Sequence, residues 1–118
     1  MHKYFAFILV SFLILLMSAC ASPKSADHIK FEQDKLLHDL YTLKECRVEK
    51  TKRLDDGISS VETIAITVIQ ACSKESKHVM DTNMLDLDEE YRKVFFDKMN
   101  GVKTSGVLNI ILTYRSEK

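Results

Sequence analysis

Three cysteines, Cys20, Cys46 and Cys72, are the residues of this chain best suited to chemistry, because a thiolate can be acylated, oxidised or bound to a metal. Their spacing narrows the choice. None form the Cys-x-x-Cys pair that ordinarily accompanies a redox dithiol. His28, His38 and His78 stand far apart, without the His-Glu-x-x-His spacing that sets two imidazoles on one helix face beside zinc. They are expected to be solvated surface histidines. Gly101-Val-Lys-Thr-Ser-Gly106 has the glycine spacing of a phosphate loop, but Val107-Leu108 follow where a lysine and a hydroxyl would contact phosphate and magnesium. Asp81-x-Asn83 opens like a calcium loop. Leu85 then occupies the fifth position, Asp86 replaces the turn glycine and Arg92 stands where a bidentate glutamate belongs. A Gly-x-Ser-x-Gly elbow for a serine nucleophile is also missing. These near misses point away from an enzyme, and no metal, no cofactor and no small-molecule substrate is expected.

The environment of Cys20 is the most informative. His2-Lys3-Tyr4 is followed by the apolar run Phe5–Met17 and by the small residues Ser18 and Ala19, the order of a secretory signal. The run is shorter than the roughly 20 apolar residues that cross a bilayer, so a membrane-spanning helix is the second reading. Leu16-Met17-Ser18-Ala19-Cys20 resembles the lipobox of bacterial lipoproteins, with Met17 replacing the commoner leucine. The resemblance covers the leader only. It implies that a diacylglycerol is attached to the Cys20 thiol and that the chain is cut before it, so residues 1–19 are a cleaved signal. Two or three acyl chains bury enough methylenes, at ~0.8 kcal/mol each, to make a durable anchor. Ala21 follows the cysteine where an aspartate would favour retention at the inner membrane, so the resemblance implies the outer membrane, facing the periplasm. Residues 20–26 include the only proline and read as a short tether, leaving 27–118 as the domain.

With Cys20 assigned to lipid, Cys46 and Cys72 remain as an even pair in an oxidising compartment, and a disulfide between them is expected. Bridging a loop of that length constrains the unfolded chain by ~3–4 kcal/mol. That is a large share of the stability available to a domain of roughly 100 residues.

The elements that must position these residues follow from periodicity. Ile29, Leu36, Leu40 and Leu43 repeat at helical spacing between Asp27 and about Lys52, with Leu37 and Tyr41 widening the stripe and Cys46 extending it. Asp55-Asp56-Gly57 breaks the pattern, and Ser59 with Glu62 has the spacing of a capping box. Val61, Ala65, Val68, Cys72 and Val79 then share a face, so the two cysteines meet across an antiparallel hairpin. Ile64, Ile66 and Val68 also alternate in a way that suits a strand, although length and the cap favour helix. Asp81–Leu87 reads as a connection. Tyr91, Val94, Phe95 and Met99 mark a shorter helix, which ends at Asn100-Gly101 with glycine expected in the left-handed cap conformation. Val107–Tyr114 suits either a helix or a strand. The fold class expected is all-α, a bundle of three or four helices built on a disulfide-stapled hairpin.

Charge completes the reading. Basic and acidic residues balance at 17 each, without the basic excess that binding to nucleic acid requires. The cluster Lys44, Arg47, Lys50, Lys52 and Arg53, interrupted by Glu45 and Glu49, reads as a solvated helix face. Phe96 points about 100° away from Phe95 on a helix and so off the core. With Asp86, Asp88, Glu89 and Glu90 it forms a candidate surface for a protein partner. The function expected is a non-catalytic lipoprotein with a binding or assembly role. The alternative is an immunity or exclusion lipoprotein that neutralises a toxin or a transfer apparatus.

Overall fold

The computed structural model describes residues 25–118. The leader, the lipobox with Cys20 and most of the tether lie outside the described residues. Five helices follow in order: α1 (Ala26–Leu54), α2 (Val61–Ala71), α3 (Ser73–Asn83), α4 (Glu89–Asn100) and α5 (Val107–Ser116). The all-α class holds, and the segment that suited either helix or strand, Val107–Tyr114, is helical.

The long helix α1 starts where Ser25 Oγ accepts a hydrogen bond from the His28 N–H at 3.3 Å, satisfying a donor that has no partner within the helix. Its inward stripe is Leu36, Leu40, Leu43, Arg47 and Thr51. Leu37 and Tyr41 do not widen it, being 64% and 59% exposed, and Ile29 at 44% lies outside it too. One residue beyond Leu36 and Leu40 is a rotation of about 100°, which carries Leu37 and Tyr41 onto a flank that no neighbouring helix covers.

Asp56 folds the α1–α2 turn by accepting from the Ile58 and Ser59 N–H groups and from the Ser59 hydroxyl, at 2.9, 2.7 and 2.6 Å. Because Ser59 is committed to Asp56, the cap of α2 falls one residue later than the sequence suggests. Ser60 Oγ accepts from the Thr63 N–H at 3.2 Å. The expected second helix is divided at Cys72, whose φ of −103° and ψ of 21° leave the α region. Hydrogen bonds from the Cys72 N–H to Val68 O and from the Ser76 N–H to Cys72 O, both 3.1 Å, run across the division. The extra break is why five helices stand where three or four were expected.

Helix α1 packs on α2, α3 and α5, while α5 lies on α2 and α4 on α3. Two apolar clusters result. One joins Leu43, Cys72, Val79, Met80, Met84 and Met99, with Leu36, Leu40 and Phe95 at its edge. The other joins Ile64, Ala65, Val68, Val107 and Ile111 between α2 and α5. The Cys46–Cys72 disulfide is present, with Cα atoms 6.1 Å apart, and ties α1 to the α2–α3 division beside the first cluster. Of the expected α4 stripe, Phe95 and Met99 are covered, while Tyr91 and Val94 are 70% and 49% exposed. Only α3 packs closely on α4, so a single narrow side of that helix is covered.

Gly101 ends α4, although not in the left-handed conformation. Its φ of −69° and ψ of 130° are extended. Glycine is required there by space, because a Cβ would lie 2.6 Å from Thr104 Oγ1 and 2.7 Å from Asp97 O. The left-handed conformation occurs instead at Gly57 and Gly106, with φ of 71° and 75°.

Candidate functional site

Beside the first apolar cluster, α1, α4, the 101–106 connection and the start of α5 enclose a cleft of about 550 Å³. Leu40, Leu43, Phe95, Met99 and Ile110 supply its apolar lining, and Lys44, Arg47 and Lys98 supply charge. A smaller groove of about 410 Å³ shares Lys44, Asn109 and Ile110 with it and runs on between α1 and α5. The near-miss phosphate loop Gly101–Gly106 therefore has a place in the architecture. Thr104 and Ser105 N–H groups bond to Gly101 O at 3.2 and 2.9 Å, folding the connection into one wall of the cleft.

Arg47 departs most sharply from the sequence reading. It is 5% exposed and not part of a solvated face. It stands four residues after Leu43 and four before the fully buried Thr51, so helical geometry places it on the inward stripe. Nη2 donates to Met99 O at 2.5 Å and Nη1 to Ser105 O at 3.5 Å, while the buried Nε has no partner among the described residues. Burial lowers the affinity of this guanidinium for its proton, since a charge is less stable away from water. Nothing acidic lines the cleft, and residues 1–24 contain no aspartate or glutamate. Arg47 thus joins α1 to α4 and to the 101–106 connection while its charge is answered only by carbonyl dipoles.

Two other polar clusters are self-contained. Asp39 on α1 accepts from Asn83 Nδ2 at 2.8 Å and Thr82 Oγ1 at 3.1 Å, with His78 Nε2 at 3.5 Å. Burial pushes its pKa up, but the hydrogen bonds from Asn83 and Thr82, with the charges of His78 and Lys35, hold it below the usual carboxylate value. Asp55 accepts from Arg115 Nη2 at 2.7 Å and Nε at 3.1 Å, and Arg115 also donates to Ser59 O at 2.8 Å. This fork fastens the end of α1 to the end of α5. The Arg115 hydrogen bond, assisted by the Gly57 N–H, holds the Asp55 pKa down against burial.

The candidate partner-surface residues are distributed unevenly. Phe96 is 44% exposed, off the core as its position beside Phe95 suggested, and it does not line the cleft. Asp88 has a local duty as the cap of α4, its carboxylate accepting from the Glu90 N–H at 3.4 Å. Glu89 and Glu90 occupy the first turn of that helix, where its dipole favours negative charge. Asp86 lies on a different groove, of about 480 Å³, formed with Leu85, Leu87 and the first turns of α1. His28, His38 and His78 are exposed, as the sequence suggested. The disulfide sulfurs lie near Glu75, which makes Cys46, Cys72 and Glu75 the one metal-competent grouping of three among the described residues, but the thiols that would ligate are spent in the bond.

The molecule is thus a small, all-helical, disulfide-stapled domain with a cation-lined apolar cleft. Comparison with protein-family models, curated proteins and solved structures finds no match. Among the described residues, no helix is long and apolar enough to cross a membrane.

Proposed function

We propose that the chain is an envelope lipoprotein, anchored through acyl chains on Cys20 at the periplasmic face of the outer membrane, and that it serves there as a non-catalytic binding module for a protein partner. The anchor rests on Leu16–Cys20 and the apolar leader before it. The binding role rests on one observation. From the 84–88 connection into α4, Leu85, Leu87, Tyr91, Val94 and Phe96 remain 44–70% exposed beside Asp86, Glu89 and Glu90. Apolar side chains left in water among charged neighbours, the acids together with Arg92 and Lys93, are the composition of a contact surface, because each gains by burial against a partner while the rim sets orientation. The disulfide fits the same reading, since export to an oxidising compartment permits it.

The test is site-specific photo-crosslinking from Phe96 in intact membranes. A discrete adduct that weakens when Asp86 and Glu90 are changed to lysine is the expected result. If no discrete adduct forms, or if the charge changes leave it intact, this surface is not the binding face.

A further inference from the structure

We propose that the cleft bounded by Leu40, Leu43, Arg47, Phe95, Met99 and Ile110 binds a single-chain anionic amphiphile, an alkyl chain ending in a carboxylate or a phosphate. This goes beyond the protein-binding role and uses different residues, since Phe96 and the acidic stretch do not line the cleft.

The chain half of the ligand follows from the lining. The five apolar side chains come from α1, α4 and α5; Leu43 and Met99 form the buried floor, and the half-buried Leu40, Phe95 and Ile110 form the walls. A volume of about 550 Å³ lies within the roughly 300–1,000 Å³ of small-molecule sites. A stable protein contact would instead cover about 800 Å² on each partner. The adjoining groove between α1 and α5 continues past Ile110 along Val48 and Tyr114, with Lys52 and Glu117 also on its lining, and gives a linear chain room to extend.

The charged half follows from three independent features. Lys44 and Lys98 stand at the cleft, and among the described residues neither is in an ion pair. Arg47 contributes a third positive charge, nine-tenths buried, with an unpartnered Nε. A buried cation without a counter-ion is unfavourable, and an anion lodged beside it would relieve that. Helix α5 begins at the cleft on Gly106, which has no side chain to cap it, and Ser105, Gly106 and Asn109 line the same wall. Ser105 Oγ accepts from the Val107 N–H at 3.4 Å, and the dipole with the other N–H groups of the first turn favours a negative ligand. Cations, a helix start and the absence of any acid in the lining converge on one apolar cleft. Charge complementarity therefore selects an anionic head, and the lining selects an alkyl tail.

The test uses the full lipidated chain in phosphatidylcholine nanodiscs and a diazirine-bearing dodecanoate, with labelled positions mapped by mass spectrometry. Label is expected on Leu40–Arg47 and on Phe95–Met99. Competition by dodecanoate or by dodecyl phosphate, with dodecanol ineffective, is the expected pattern, and the stronger of the two anions identifies the head group. Lys44→Gln with Lys98→Gln, two exposed positions whose loss leaves the fold in place, is expected to lower labelling about fivefold, as the loss of two modest charge contacts implies. Label scattered over the surface, equal competition by dodecanol, or undiminished labelling of the lysine double variant would each overturn the proposal. An acidic peptide that displaces the probe better than either alkyl anion would also overturn it.

Discussion

Replacing Cys46 and Cys72 together by alanine removes the one covalent link between α1 and the α2–α3 division. The two residues are 26 apart in sequence, and the chain-entropy relation for a loop of that span gives roughly 3.5 kcal/mol at 25 °C. Cys72 is fully buried in the first apolar cluster, so its truncation adds a packing loss of its own. Reduction of the wild-type chain with a phosphine separates the two terms, because it opens the bond without removing atoms. With urea slopes of about 1–3 kcal/mol per molar, the reduced chain should unfold at a midpoint about 1.2–3.5 M lower than the oxidised chain. The assay is urea unfolding followed by circular dichroism, on protein held in non-ionic detergent with and without reductant. A midpoint that moves by less than about 0.3 M would refute the reasoning. It would mean that the hairpin is already closed in the unfolded ensemble, or that core and fork carry the stability alone.

Gly101→Ala drives a Cβ against Asp97 O and Thr104 Oγ1, and should cost about 1–3 kcal/mol in thermal or chemical unfolding. Gly57→Ala meets no atom within 4 Å, so only its positive φ opposes it, at about 1–2 kcal/mol. A loss at Gly57 larger than at Gly101 would contradict the steric account. The Asp56 pKa is lowered to about 2 by the Ser59 hydroxyl and by the Ser59 and Ile58 N–H groups. The stability linked to that shift is fully present above the unfolded value of 3.8 and is lost as the pH falls through about 2. Asp56→Asn should therefore be less stable than wild type at neutral pH and should lose less between pH 4 and 2. Parallel acid limbs for the two proteins in urea titrations at stepped pH would count against the turn as described.

Much of this architecture is legible in the sequence, and the parts that are not share a cause. Caps, breaks and the cysteine pairing are local or arithmetic signals, so α1, the Asp55–Gly57 break and the Cys46–Cys72 bond follow from residue types and spacing. Burial on a helix flank depends on what lies opposite. Leu37, Tyr41, Tyr91 and Val94 carry core-type side chains, yet too few helices pack around them to cover these flanks. Arg47 is the reverse case. Its charge suggests solvent, while its position four residues beyond Leu43 places it inside, and that spacing was the signal to weigh above residue type. The cleft itself is not written in any motif. Lys44 and Arg47 come from α1, Lys98 from α4, and Ser105 and Gly106 from the connection, and only the packing of these segments brings them together. The division of the second helix at Cys72 likewise has no glycine or proline to announce it.

The proposed anchor on Cys20 is the premise on which the compartment, and the place of the binding role, rest. Intact mass spectrometry of the protein extracted from membranes tests it most directly. The expected result is a chain that begins at Cys20 and carries the added mass of a diacylglyceryl group, and that leaves the membrane fraction when Cys20 is changed to alanine. A chain that retains residues 1–19, or that begins at Cys20 with no lipid mass, would contradict it.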